Sequence, residues 1–303
     1  MKEILVLYGG DTRGAAQYGA LRYLHEQGYR PDVVLGVSIG AINGLFIAAD
    51  RMDLAEEFWR TSATDAKQLA TSPFLNKNGR LDLRELFKPR NWGFFTRHLF
   101  GKPIRALAEP TGLRSLLQQV CRYDLEARYL HQIVSLKTGK AYSLWENDFE
   151  TDDDFISSIV ASASIPGVFP PVPKIHTREE TIYDAMDGGI DTSGPIDIAL
   201  DLCASMNEPC RITAIPVSIL NEVATDESDI AQIVQRGLSV LLHSRYREQM
   251  YNFLYHRSGK PPYRIIYPDF TGVPADFLAF SEEGIQRMME IGAQAAREAE
   301  WVQ

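Results

Sequence analysis

Near the start of the chain an unbroken apolar run, Ile4 to Tyr8, stops at Gly9-Gly10. From Ala15 to Glu26 the spacing changes, and Ala16, Ala20, Leu21 and Leu24 fall on one helical stripe. The pattern predicts strand, tight loop and helix. It repeats at once: Val33, Val34 and Leu35 give a second buried run within Asp32 to Gly36, and an apolar helix rich in small residues follows from Ile39 to Ala49. Strands that are apolar on both faces, each feeding a helix, imply a mainly parallel central sheet in a three-layer α/β architecture flanked by helices.

From Asp53 to Arg128 the periodicity is mostly helical, firmest at Leu54 to Trp59 and Leu113 to Val120, with Pro73, Pro89, Pro103 and Pro110 as punctuation. This reads as an inserted helical cap over about 53–128. Ile133 to Leu136 and Ala141 to Trp145, separated by Lys137-Thr138-Gly139-Lys140, predict a hairpin. Phe155 to Ser162 reads as a helix stopped by Pro166, Arg211 to Ser218 as a strand, Ile230 to Tyr255 as a long amphipathic helix and Arg264 to Tyr267 as a further strand. A closing helix is expected from Ser281, with Glu283 nearby, to about Trp301. Thr71 to Asn78 and His176 to Glu180 are expected to be the most mobile stretches. With no repeat or low-complexity tract, the 303 residues are taken as one domain, its core motifs in 4–200 and an extension in 201–303.

A 45% hydrophobic and 23% charged composition supplies a sizeable core. The net charge of -9 argues against nucleic acid as a partner, because phosphate neutralisation needs a surplus of Lys and Arg. Cys121, Cys203 and Cys210 form neither an even disulfide set nor a metal-type pair, so buried thiols in a reducing compartment are expected. The first apolar run is too short for a signal peptide, and no stretch approaches the roughly 18 apolar residues of a spanning helix. The expected location is the cytoplasm, with contact at the inner membrane face only from the surface.

Gly36-Val37-Ser38-Ile39-Gly40 lies at a strand-to-helix junction, the setting of a nucleophile elbow. Flanking glycines let a serine sit in a sharp turn, and the following helix N-terminus offers positive potential to a nascent oxyanion. The pentapeptide by itself also recurs in loops and at phosphate-binding turns. Gly9-Gly10-Asp11-Thr12-Arg13-Gly14 follows the first strand; it fits an oxyanion loop, a tight turn or a phosphate loop, but Asp11 breaks the dinucleotide pattern and no P-loop Gly-Lys-Ser/Thr is present. Asp187-Gly188-Gly189 could expose a carboxylate into a cleft or form a hairpin turn.

These segments, with Ala161-Ser162-Ala163-Ser164-Ile165-Pro166-Gly167-Val168-Phe169-Pro170-Pro171 between them, resemble the patatin-like phospholipase family in order and spacing from Leu5 to about Ala199. The resemblance implies Ser38 as nucleophile and Asp187 as base in a Ser-Asp dyad, with the amides around Gly9, Gly10 and Arg13, in the loop through Asp11, Thr12 and Gly14, as the oxyanion hole. It implies no catalytic His, no metal and no cofactor. The expected substrate is a phospholipid or lysophospholipid whose fatty acyl ester is cleaved through an acyl-serine. Acyl transfer by the same dyad is the near alternative, and a catalytically weak lipid-binding or scaffold module the distant one. A Ser-Asp-His triad, with His243 or His256 last, is disfavoured because the elbow follows only two strands.

Asp11 stands where the family usually has a third glycine. Its charge at about 6 Å from an oxyanion, at an effective dielectric near 20, would cost ~3 kcal/mol, roughly a hundredfold in rate. It must point away, pair with a base such as Arg13, or depress activity. Between Phe87 and Ala108, Lys88, Arg90, Arg97, Lys102 and Arg105 are interleaved with Trp92, Phe94, Phe95, Leu99 and Phe100 and no acid. That mixture suits a membrane-facing surface or lid, and equally a cap whose aromatics fill its own core. The sequence does not fix the oligomeric state.

Overall fold

The computed structural model describes residues 1–65, 68–72, 106, 108–190, 194–217, 230–271 and 281–303. An eight-stranded sheet forms the middle layer. Its strands are β1 (Lys2–Leu7), β2 (Val33–Val37), β3 (Arg128–Ser135), β4 (Ala141–Trp145), β5 (Val172–His176), β6 (Thr181–Asp187), β7 (Cys210–Ile215) and β8 (Tyr263–Ile265). They run in the order β5-β6-β3-β2-β1-β7-β8, with β4 on the other edge of β3. Pairings among β1, β2, β3, β7 and β8 are parallel, whereas β4, β5 and β6 join antiparallel, so the sheet is mixed.

Side-chain alternation explains the continuous apolar strands. Leu5 and Leu7 of β1 and Val34 of β2 enter one buried cluster, while Ile4, Val6, Val33, Leu35 and Val37 enter the other. The first cluster is covered by α1 (Gly14–Glu26), α2 (Ile39–Ala48), α3 (Met52–Asp65), α4 (Thr111–Leu117), α5 (Asp152–Ser162) and α8 (Glu282–Glu298). The second is covered by α6 (Pro195–Ser205) and by Tyr246 and Met250 of α7 (Ile230–Tyr251). Three layers follow from strands that hide both faces.

Several expectations change. The described ends of the segment read as a cap, α3 and α4, lie in the main core, where Leu54, Phe58, Trp59, Leu113 and Leu117 are buried. The interfacial reading of Phe87 to Ala108 falls almost wholly outside the described residues. The supposedly mobile His176–Glu180 closes the β5-β6 hairpin, its Thr177 amide donating to Glu180 O at 2.9 Å and Lys140 pairing with Glu180 at 2.6 Å. Cys203 and Cys210 are joined in a disulfide, correcting the expectation of thiols throughout. Counting cysteines missed it because the turn from α6 into β7 brings this one pair together, leaving Cys121 free. Ser281 caps α8 as expected, accepting from the Gly284 amide at 3.2 Å.

Candidate active site

The sheet register brings Ser38 and Asp187 together. β2 runs parallel to β3 and ends with Val37 beside Gln132. β6 runs antiparallel to the same strand and ends with Asp187 beside Ile133. Because β4 occupies the opposite edge of β3 at these positions, β2 and β6 meet end to end on one flank. The residue after Val37 therefore faces the last residue of β6.

Ser38 has φ 56° and ψ −130°, a conformation that costs a non-glycine residue about 1–3 kcal/mol and persists only when its surroundings enforce it. Gly36 and Gly40 are part of that enforcement. A Cβ on Gly36 would come within 2.5 Å of Gly40 O, and one on Gly40 within 2.4 Å of Leu7 O. The Ser38 amide donates to Ser162 Oγ at 3.1 Å, and the Asp187 amide to Ser164 O at 3.2 Å. The stretch beginning Ala161-Ser162 thus braces both members of the pair from behind, a role that sequence reading did not assign.

Asp187 is fully buried. Its Oδ1 accepts the Gly189 amide at 2.8 Å, and Gly188 lies so close to Gln132 O that a Cβ would stand 2.4 Å away. Oδ2 is buried without a hydrogen-bond partner among the described residues. Burial pushes the carboxyl up to about 7, opposed by the Ser38 hydroxyl and the Gly189 amide and assisted by the charge of Asp11. The Ser38 hydroxyl bears on this carboxyl without closing a hydrogen bond to Oδ2. The carboxylate is a much stronger base than an ordinary Asp.

The loop opposite is the turn Asp11–Arg13 leading into α1. Arg13 and Gly14 spend their amides within it, on Gly10 O and Asp11 O, and the Gly9 backbone lies against the Tyr246 hydroxyl. The Gly10 and Asp11 amides make no hydrogen bond among the described residues. The Arg13 guanidinium lies over the Phe270 ring at 5.9 Å, and Thr12 is half-buried beside it in the chain. Asp11 adopts the left-handed conformation, φ 51°, which Asp tolerates better than most residues. Burial raises the pKa of Asp11, against the pull of Arg13.

A buried polar chain fixes this loop to the elbow helix. Trp59 Nε1 donates to Asn43 Oδ1, and Asn43 Nδ2 to Gly14 O and Gln17 Oε1, each at 3.0 Å. Gln17 Nε2 then donates to Tyr8 O and Ile215 O. None of these three side chains stood out in the sequence. The histidines have other partners: His131 is buried against Ser158 and held down to about 3 by burial, His25 meets Asp50, and His176 meets Asp154.

Three comparisons bear on this geometry. A family profile described as patatin-like phospholipase matches residues 5–200. The patatin-like phospholipase domain-containing protein 7 of Mus musculus is 29% identical over 208 residues, covering 67% of this chain and 13% of the mouse protein. Lysophospholipase nte1 of Aspergillus terreus is 50% identical over 46 residues, 15% of this chain and 3% of that one. The chain therefore spans a small part of these relatives' length. Among solved structures, VipD of Legionella pneumophila aligns with 99% of this chain and 68% of its own at 13% identity, with a TM-score of 0.38, too low to bear on the site.

Proposed function

The chain belongs to the patatin-like phospholipase family, and on that premise we propose that it hydrolyses fatty acyl esters of phospholipids or lysophospholipids through an acyl-Ser38 intermediate, with Asp187 as the base. The observation that carries this reading is the meeting of β2 and β6 on one flank of β3, which sets a strained serine against a buried, basic carboxylate. The names of the relatives, a lysophospholipase and a phospholipase-domain protein, support the substrate class.

In this reading Asp187 takes the proton of Ser38 Oγ as Oγ attacks the acyl carbon. The Gly10 and Asp11 amides, at the start of the turn into α1, hold the oxyanion. Collapse expels the alcohol, which receives the proton from Asp187, and water attacks the acyl-serine with Asp187 again as base. No helix of the described residues is long and apolar enough to cross a membrane. Residues 87–108 are the proposed contact with a lipid surface.

A serine-directed fluorophosphonate tests the assignment. The wild-type chain is expected to label at Ser38, shown by peptide mass, and Ser38→Ala not to label. Labelling that survives the substitution would move the nucleophile elsewhere. Asp11 gives a second expectation. Its negative charge raises the Asp187 pKa, so Asp11→Asn lowers that pKa and carries the acidic limb of kcat/KM to lower pH. Turnover at pH 6 should rise several-fold, within the roughly hundredfold that a ~3 kcal/mol repulsion allows. A limb that stays in place would show that the Asp11 charge does not reach the base.

A further inference from the structure

Gly9 lies close to two hydroxyl groups that come from distant parts of the chain. A Cβ at Gly9 would stand 2.9 Å from Ser38 Cβ, 3.5 Å from Ser38 Oγ and 2.9 Å from the Tyr246 hydroxyl. Both hydroxyl oxygens are thus within 3.5 Å of one point on the loop. Tyr246 sits on α7, outside residues 5–200, and only 2% of it is exposed. Its ring is fixed by an edge-on contact with Tyr8, centroids 5.1 Å apart, on the second face of the sheet.

A buried phenol beside a nucleophile has one proton to give. The Gly9 backbone lies against the Tyr246 hydroxyl, and a phenol has one O–H to donate. The titratable groups facing it are Asp187, Asp11 and Tyr8; burial first, and then the charge of Asp187, keep the phenol protonated far above neutrality. Donation to an oxyanion in a buried site is the use in which such a group is worth most.

We propose that the Tyr246 hydroxyl is a side-chain donor to the acyl oxyanion formed on Ser38, supplied by the helix after the family-matched segment. The proposal rests on Ser38 being the nucleophile. In the tetrahedral adduct the acyl oxygen carries the negative charge and accepts hydrogen bonds from the Gly10 and Asp11 amides and from Tyr246. No proton is transferred from the phenol, so the donor is unchanged when the adduct collapses.

Tyr246→Phe in the full chain tests it, because Phe keeps the ring and its contact with Tyr8. Loss of one oxyanion donor is expected to lower kcat about 100-fold with KM little changed. The affinity for a fatty acyl trifluoromethyl ketone, which forms a charged tetrahedral adduct on serine, should fall by a similar factor. Unchanged ketone affinity overturns the proposal: with a shifted acidic limb, Tyr246 serves Asp187 instead; with only a lower Tm, it packs. Fluorotyrosine at 246 keeps shape and hydroxyl while strengthening the donor, so tighter ketone binding is expected even if Phe fails to fold. Unaltered binding there would also overturn it. Ser38→Ala in the same assay separates the two readings, since an active Ser38→Ala removes both, whereas an inactive one beside a fully active Tyr246→Phe removes only this one.

Discussion

Asp187→Asn is expected to reduce kcat/KM at least ~10³-fold while raising thermal stability above neutral pH, an opposition that a purely structural Asp would not produce. The loss follows from removing the only proton acceptor proposed for Ser38. The gain follows from linkage. Burial raises the folded-state pKa of Asp187 from the ordinary 3.8 to about 7. A carboxyl with a raised pKa contributes stability below its unfolded value, and that contribution is lost as pH rises through about 7. Ionising the base therefore strains the fold by up to about 4 kcal/mol, a penalty Asn does not carry.

The same shift sets the wild-type pH profile. The base acts only when charged, so kcat/KM should be low at pH 5, rise through about 7 and level off above it. Melting curves of wild type and Asp187→Asn at pH 5 and pH 8 check the stability arm. The variant should melt at a higher temperature than wild type at pH 8 and at a similar temperature at pH 5. Equal melting at both values, or an acidic limb near 4, would mean that Asp187 is not held in the dry environment described.

The two βα units and the elbow were legible because each strand hides both faces and so appears as an apolar run. The hairpin of β3 and β4 was legible from its turn residues. β5 was not: its Val-Pro-Lys-Ile-His places four exposed or partly exposed positions around the single buried Ile175, too little apolar signal for a strand. The placement of Asp187 beside Ser38 depends on β6 pairing antiparallel with β3, and register over such a distance leaves no local trace. The disulfide was missed for a local reason: a count of three cysteines does not say which two the turn from α6 into β7 brings together. The polar chain Gln17-Asn43-Trp59 was hidden because its members sit on helix faces that read as apolar and become recognisable only by their bonds. The Asp11 anomaly was visible at once from the missing third glycine, and its observed left-handed backbone is one that Asp tolerates better than most residues.

Gly292→Ala should be among the most destabilising single substitutions in the chain, although position 292 lies far beyond the family-matched segment. α8 crosses α1 backbone to backbone. A Cβ on Gly292 would stand 1.7 Å from Ala16 O, and one on Gly19, on the facing helix, 2.0 Å from Met289 O. Neither obstacle is a side chain that can rotate away, so the helices must separate along a contact in which Ile285, Met288 and Met289 are buried. Overpacking of this kind costs about 1–3 kcal/mol, and more where backbone must move. The intrinsic preference of Ala over Gly in a helix, roughly 1 kcal/mol, works the other way and is too small to compensate. The effect also reaches the chemistry. α1 starts at Gly14, directly after the loop whose Gly10 and Asp11 amides are proposed to hold the oxyanion. A displacement near 1 Å in such a site can cost about 10²-fold in rate. Urea unfolding should therefore show a lower midpoint with an unchanged slope, and the folded fraction should turn over more slowly while Ser38 still labels. An unchanged midpoint would show that α1 and α8 can part without cost, and that the C-terminal helix is not built into the frame of the site.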